Sequence, residues 1–138
     1  MGHIKRKILI VLAAAVCAVL IGCSGKITGD EARSDIEFTV VPRDDIPEEL
    51  KTLIEEKKSE EFSMSYGIGE CLYIAKGYGK VPTGGYSIRV DSVEQTGDEI
   101  FFHSTLLGPE ASEPVNKIQT FPYIVIKIEY TDKKIVFE

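Results

Sequence analysis

From Phe62 to the C-terminus, apolar residues recur at every second position in short runs, with Gly, Pro or Asp between the runs. A period of two sends alternate side chains to opposite faces, so this part of the chain is predicted to form strands. Glu70-Cys71-Leu72-Tyr73-Ile74-Ala75 is apolar on both faces, which predicts a central strand of a sheet or sandwich. Tyr86-Ser87-Ile88-Arg89-Val90-Asp91 alternates cleanly and is predicted to place Tyr86, Ile88 and Val90 inside. Gly97-Asp98 marks a hairpin turn over 95–99, leading into a strand over 100–106. Pro109 and Pro114 bracket a loop that reaches Gln119. Residues 123–130 are strongly β-branched and aromatic, and 131–133 is predicted to turn them into a last short strand over 135–137.

Upstream, Ile36-Glu37-Phe38-Thr39-Val40 reads as a strand with one buried face, ended by Pro42. Asp44 or Asp45 is then placed to cap a helix whose first turn holds Pro47, Glu48 and Glu49. Ile46, Leu50, Leu53 and Ile54 share one stripe, while Glu49, Lys51, Glu55 and Glu56 face water, giving a helix of about three turns that ends near Lys58. The predicted fold is mainly β (α+β): an antiparallel sheet or small β-sandwich of six to seven strands, with one amphipathic helix near the N-terminus and no parallel crossover.

The first 22 residues are expected to lie outside that fold. Lys5, Arg6 and Lys7 precede an unbroken apolar run over 8–21, the layout of an export signal. Its 14 residues fall short of the ~20 that a bilayer-spanning helix needs. Leu20-Ile21-Gly22-Cys23 resembles the lipobox of bacterial lipoproteins, in which the cysteine is lipidated and the signal is cut just before it. The likeness implies 1–22 as a lipoprotein signal peptide and Cys23 as the lipidation site. One acyl chain holds a protein only marginally, at about 0.8 kcal/mol per buried methylene, whereas two or more hold it stably. The expected partner is therefore the membrane, through lipid on Cys23, and the expected place is the cell membrane facing outside, or the periplasm. Residues 23–35 are polar, with Gly25 and Gly29, and read as the lipidated cysteine and a flexible tether; 36–138 reads as one globular domain.

Composition removes several classes of function. The chain carries 16 Lys and Arg against 22 Asp and Glu, and without Lys5, Arg6 and Lys7 the balance falls from −6 to −9. Nucleic acid is not an expected partner, because phosphate binding needs a basic face. Of three cysteines, Cys17 leaves with the signal and Cys23 takes the lipid, so Cys71 has no partner for a disulfide and reads as a small buried hydrophobe. His103 is the one histidine left beyond the signal. It neighbours Ser104 in a predicted strand, where adjacent side chains point to opposite faces, so no nucleophile–base pair forms there. One His and one Cys do not make a metal set, and no Gly-rich loop opens a helix. No enzyme activity, metal or cofactor is expected.

The segment that stands apart is Gly77-Tyr78-Gly79-Lys80-Val81-Pro82-Thr83-Gly84-Gly85-Tyr86. Pro82 fixes one backbone angle, and Gly84 and Gly85 permit crowded or left-handed geometry, so a tight loop leads into the next strand. A loop bare of bulky side chains lets its backbone approach a partner closely. Lys80-Val81-Pro82-Thr83-Gly84-Gly85-Tyr86-Ser87-Ile88, with Phe121-Pro122-Tyr123-Ile124-Val125 downstream, resembles the C-terminal domain of the protease-complex subunit PrcB family. The likeness spans about 71–128, and it implies a non-catalytic accessory domain, itself on a lipoprotein, that docks on or modulates an exported protease. Pro82-Thr83-Gly84-Gly85-Tyr86 is also similar to the Pro-Thr-Thr-Gly loop of chagasin-type inhibitors of cysteine proteases. Here Gly84 stands where that family has its second Thr, and Phe121-Pro122-Tyr123 only loosely echoes its Arg-Pro-Trp. Together these make Lys80, Pro82, Thr83, Gly84, Gly85, Tyr86, Phe121, Pro122 and Tyr123 the candidate binding residues. The alternative is a structural or ligand-binding envelope lipoprotein unrelated to proteolysis.

Overall fold

Ile74 and Ala75 are adjacent in sequence and both fully buried, which requires a strand covered on both faces. The computed structural model, which describes residues 31–138, places them in β4. Eight strands run β1 (Ser34–Asp35), β2 (Thr39–Val40), β3 (Glu61–Ile68), β4 (Cys71–Tyr78), β5 (Ser87–Gln95), β6 (Glu99–Leu107), β7 (Tyr123–Glu129) and β8 (Lys134–Phe137). A 3-10 turn at Arg43–Asp45 and helix α1 (Glu48–Lys57) lie between β2 and β3. One sheet has the order β2-β7-β4-β3 and the other β1-β5-β6-β8. The signal peptide expected over 1–22 and the expected lipidation site Cys23 lie outside the described residues.

The first sheet has two cores because its two central strands are apolar on both sides. On one face, Phe62, Ala75 and Val125 pack with Val41, Ile46, Leu50 and Ile54 from the helical segment. On the other, Leu72, Ile74, Ile126 and Ile128 meet Val93, Ile100 and Phe102 of the second sheet. Residues 31–138 form a β-sandwich with a helix on its outer face, and the mainly β, α+β expectation holds. The two central strands pair antiparallel over seven residues, from Cys71 opposite Glu129 to Gly77 opposite Tyr123.

Three local expectations change. Residues 36–40 do not form one strand: β1 pairs with β5 and β2 pairs with β7, so the chain crosses from one sheet to the other between them. Ile36 packs toward the inter-sheet core while Phe38 stays exposed on the crossing. The last strand is not a hairpin partner of β7, whose two edges are already taken by β2 and β4. The chain instead crosses the sandwich end, where Lys133 Nζ donates to Gln95 Oε1 and to the Thr96 carbonyl, both at 2.8 Å. β8 then pairs parallel with β6 on its free edge, from Glu99 opposite Lys134 to Phe102 opposite Phe137. Finally, neither Asp44 nor Asp45 caps α1. Both belong to the 3-10 turn, and Pro47 occupies the N-cap position without a side-chain bond.

The globular unit also begins before Ile36. Arg33 lies 3.6 Å over the Phe101 ring and pairs with Glu138 at 3.0 Å, and Glu31 accepts from the Gly97 N–H at 3.1 Å. A bulge at Asp91 resets the alternation of β5, so Val90 is half-buried and Val93 is the fully buried residue. Tyr86 and Ile88 are half-buried as well.

Gly77 in β4 tests the packing of the helix-side core, because a β-carbon there would overlap the Phe62 ring. Gly77→Ala should lower stability by about 1–3 kcal/mol, the usual cost of overpacking. Pairing it with Phe62→Leu should recover part of that loss in a denaturant titration. A stable single variant would mean that the Phe62 ring is not held where the fold places it.

Candidate functional site

The loop after β4 is a braced structure with few contacts from side chains. Val81 is buried and exchanges two backbone hydrogen bonds with Thr120, at 2.9 and 3.1 Å. Thr120 Oγ1 donates to the Thr83 carbonyl at 2.8 Å, and the Gly84 N–H donates to the Asn116 carbonyl at 2.8 Å. At its root, the Tyr78 N–H donates to the Pro122 carbonyl at 3.0 Å. The two segments singled out in the sequence therefore form one ladder: 79–86 is held by 116–122.

Glycine is required at two points of this ladder. Gly79 and Gly85 have φ of 71° and 84°, in the left-handed region that other residues enter at a cost. A β-carbon at Gly85 would also sit 3.0 Å from both Pro109 and Val115. Gly84 is different: a β-carbon there would meet the Asn116 carbonyl at 3.7 Å, an ordinary contact distance, so a small side chain fits without strain.

The nine candidate residues separate by role. Lys80, Pro82 and Gly85 are exposed, and Thr83, Gly84, Tyr86, Phe121 and Tyr123 are half-buried. Pro122 is buried and serves as a fixed point of the ladder. Gly84, Gly85, Tyr86, Phe121, Pro122 and Tyr123 line one groove of about 390 Å³, while Lys80, Pro82 and Thr83 lie outside its lining. The opposite wall comes from residues the sequence did not single out: Arg43, Glu55 and Lys58. The Arg43 guanidinium carbon lies 4.7 Å from the centre of the Tyr123 ring, and Lys58 Nζ 5.5 Å from that of Phe121. Lys58 is also paired with Glu55. Two aromatic residues of the 119–123 segment are thus clamped under two cations from the helical segment.

This end of the domain is far from where the described chain begins. Glu31 contacts Gly97, and β1 pairs with Glu94 and Gln95, at the finish of β5. The loop leads into Ser87 at the start of β5, and nine residues of strand span about 30 Å.

The residues weighed for catalysis are separated. Ser104 is buried on the inner face, its hydroxyl 2.7 Å from the Tyr78 hydroxyl, while His103 is exposed on the outer face. His103 instead lies 3.9 Å from Asp91, whose carboxyl is held below its usual pKa first by the Thr105 hydroxyl and then by Arg89. Among the described residues, no three His, Cys, Asp or Glu side chains are grouped to hold a metal, and no helix is long and apolar enough to cross a membrane. Cys71 is a free, half-exposed thiol and not the buried hydrophobe expected, because it opens β4 at the edge of the core.

Residues 72–129 match the family described as PrcB C-terminal. Over this stretch the chain is similar to the PrcB C-terminal family. The matched stretch runs from β4 to β7, so it contains both arms of the ladder, and PrcB is a protease-complex subunit family. No curated protein and no solved structure matches the chain.

Gly85→Ala should cost about 1–2 kcal/mol from the left-handed backbone alone, measured by thermal or chemical unfolding. Gly84→Ala should change stability by less than about 0.5 kcal/mol. Equal costs at the two positions would contradict the ladder geometry.

Proposed function

We propose that this protein is a membrane-anchored exported lipoprotein whose PrcB-like domain is a non-catalytic docking module for an exported protease. The observation that carries the reading is the braced loop at 79–86. It is a rigid, sparsely decorated surface on a PrcB-like domain, at the end opposite the incoming chain. Rigid loops on a β scaffold are ordinary places for protein recognition, and prior ordering lowers the entropy cost of binding. Lipidation of Cys23 would hold the domain at the membrane surface. The chagasin-like Pro82-Thr83-Gly84-Gly85-Tyr86 sequence agrees with a protease as the partner. His103 and Ser104 lie on opposite faces, so these two do not form a nucleophile–base pair.

A second reading, a ligand-binding envelope lipoprotein, has one feature in its favour. A wide groove of about 1350 Å³ opens at the other end of the sandwich, with Phe38, Cys71, Ile128 and Tyr130 among its walls.

Affinity recovery from native membranes separates the two. Wild-type protein should bring down a protease, and changing Thr83, Gly84 and Asn116 together to bulky residues should lose it while the domain stays folded. Equal recovery by both would remove the loop as the contact. Recovery of no protease by either would favour the second reading. In the same host, Cys23→Ala should release the protein from membranes or block its processing; retention at wild-type levels would defeat the anchor.

A further inference from the structure

Arg43 stands out in the loop groove as a cation with no carboxylate partner among the described residues. Lys58, the other cation of the groove, is already paired with Glu55. Asp44 and Asp45 share the 3-10 turn with Arg43, yet neither forms an ion pair with it. Its guanidinium is stacked on Tyr123 at 4.7 Å. A guanidinium over an aromatic face keeps its N–H donors, and a planar fork of donors suits a carboxylate through two hydrogen bonds.

The rest of the groove suits an extended chain. Phe121 and Tyr86 supply apolar surface beside Arg43. Gly84 adds no side chain to the wall. The N–H groups of Gly85 and Tyr86, two residues of the groove lining, take no backbone partner among the described residues. Charge narrows the anion. A dianion would face Glu55 in the groove wall and Asp44 and Asp45 beside Arg43, whereas one carboxylate needs only the one free cation.

We infer that the groove binds an extended peptide through a single carboxylate held by Arg43, with the neighbouring side chain against Phe121 and Tyr86. The inference rests on the reading of this end of the domain as a protein-docking surface, and it names the chemistry of the partner segment. Arg43 sets specificity; the ladder sets position.

The test uses the full-length protein in non-ionic detergent and the capped hexapeptide Ala-Ala-Phe-Glu-Ala-Ala, with Gln or phosphoserine in place of Glu as comparison probes. The Glu peptide should shift the amide signals of Gly84, Gly85 and Tyr123 and bind about tenfold or more tighter than the Gln peptide. Arg43→Gln should abolish that preference while the domain stays folded. Equal binding of the Glu and Gln peptides, tighter binding of the phosphoserine peptide, or shifts confined to other parts of the domain would overturn the inference. Membrane recovery then separates it from the reading beneath it. A protease recovered equally by wild type and Arg43→Gln sinks the carboxylate contact and leaves docking standing. A protease lost with Arg43→Gln supports both. No protease with either sinks both.

Discussion

The fold depends on one sheet being buried on both faces. In β4 and β7, neighbouring residues point into different cores: Ile74 and Ile126 toward the second sheet, Ala75 and Val125 toward the helix. Each core is small, and neither sheet nor helix could cover its apolar face without the other layers. At roughly 1.5–3 kcal/mol for each large apolar side chain fully buried, this double layer supplies the driving force in a domain whose one described cysteine is free. The surface ion pairs, such as Lys76 with Glu61 or Arg33 with Glu138, add little by comparison.

That constraint also makes the candidate site. β4 and β7 are the central strands of their sheet, and the two arms of the ladder continue directly from them: 79–86 leaves the end of β4, and 116–122 leads into the start of β7. Their register, with Gly77 opposite Tyr123, carries the rigidity of the core into the loops. Val81 and Thr120 repeat the strand pairing beyond the sheet proper. Positive φ at Gly79 and Gly85 lets the chain turn within this frame without strain.

Much of this was legible in the sequence, and the exceptions have physical causes. The two-faced apolar pattern of β4 identified a central strand, and the Ile46, Leu50 and Ile54 stripe identified the buried side of α1, because both depend on local period alone. The parallel β6–β8 pairing was not legible. It depends on which sheet edges remain free once β7 is flanked on both sides, a property of the assembled fold. The crossing at 36–38 was hidden for the same reason, since Ile36-Glu37-Phe38 alternates as a strand would. In the site, the Pro- and Gly-rich loop and Phe121-Pro122-Tyr123 announced themselves by composition. Arg43 and Lys58 did not, because a cation on a polar helical segment carries no local sign that it will stack on a distant aromatic ring.

The central claim is that the candidate docking loop is a rigid extension of the two-faced sheet. Amide hydrogen exchange on the folded protein tests it most directly. The N–H groups of Val81 and Thr120, paired with each other's carbonyls, should be slowed well beyond unstructured rates, while those of Gly85 and Tyr86 exchange quickly. Exchange of Val81 and Thr120 at the rate of an open loop, with Ile74 and Ile126 still protected, would contradict it.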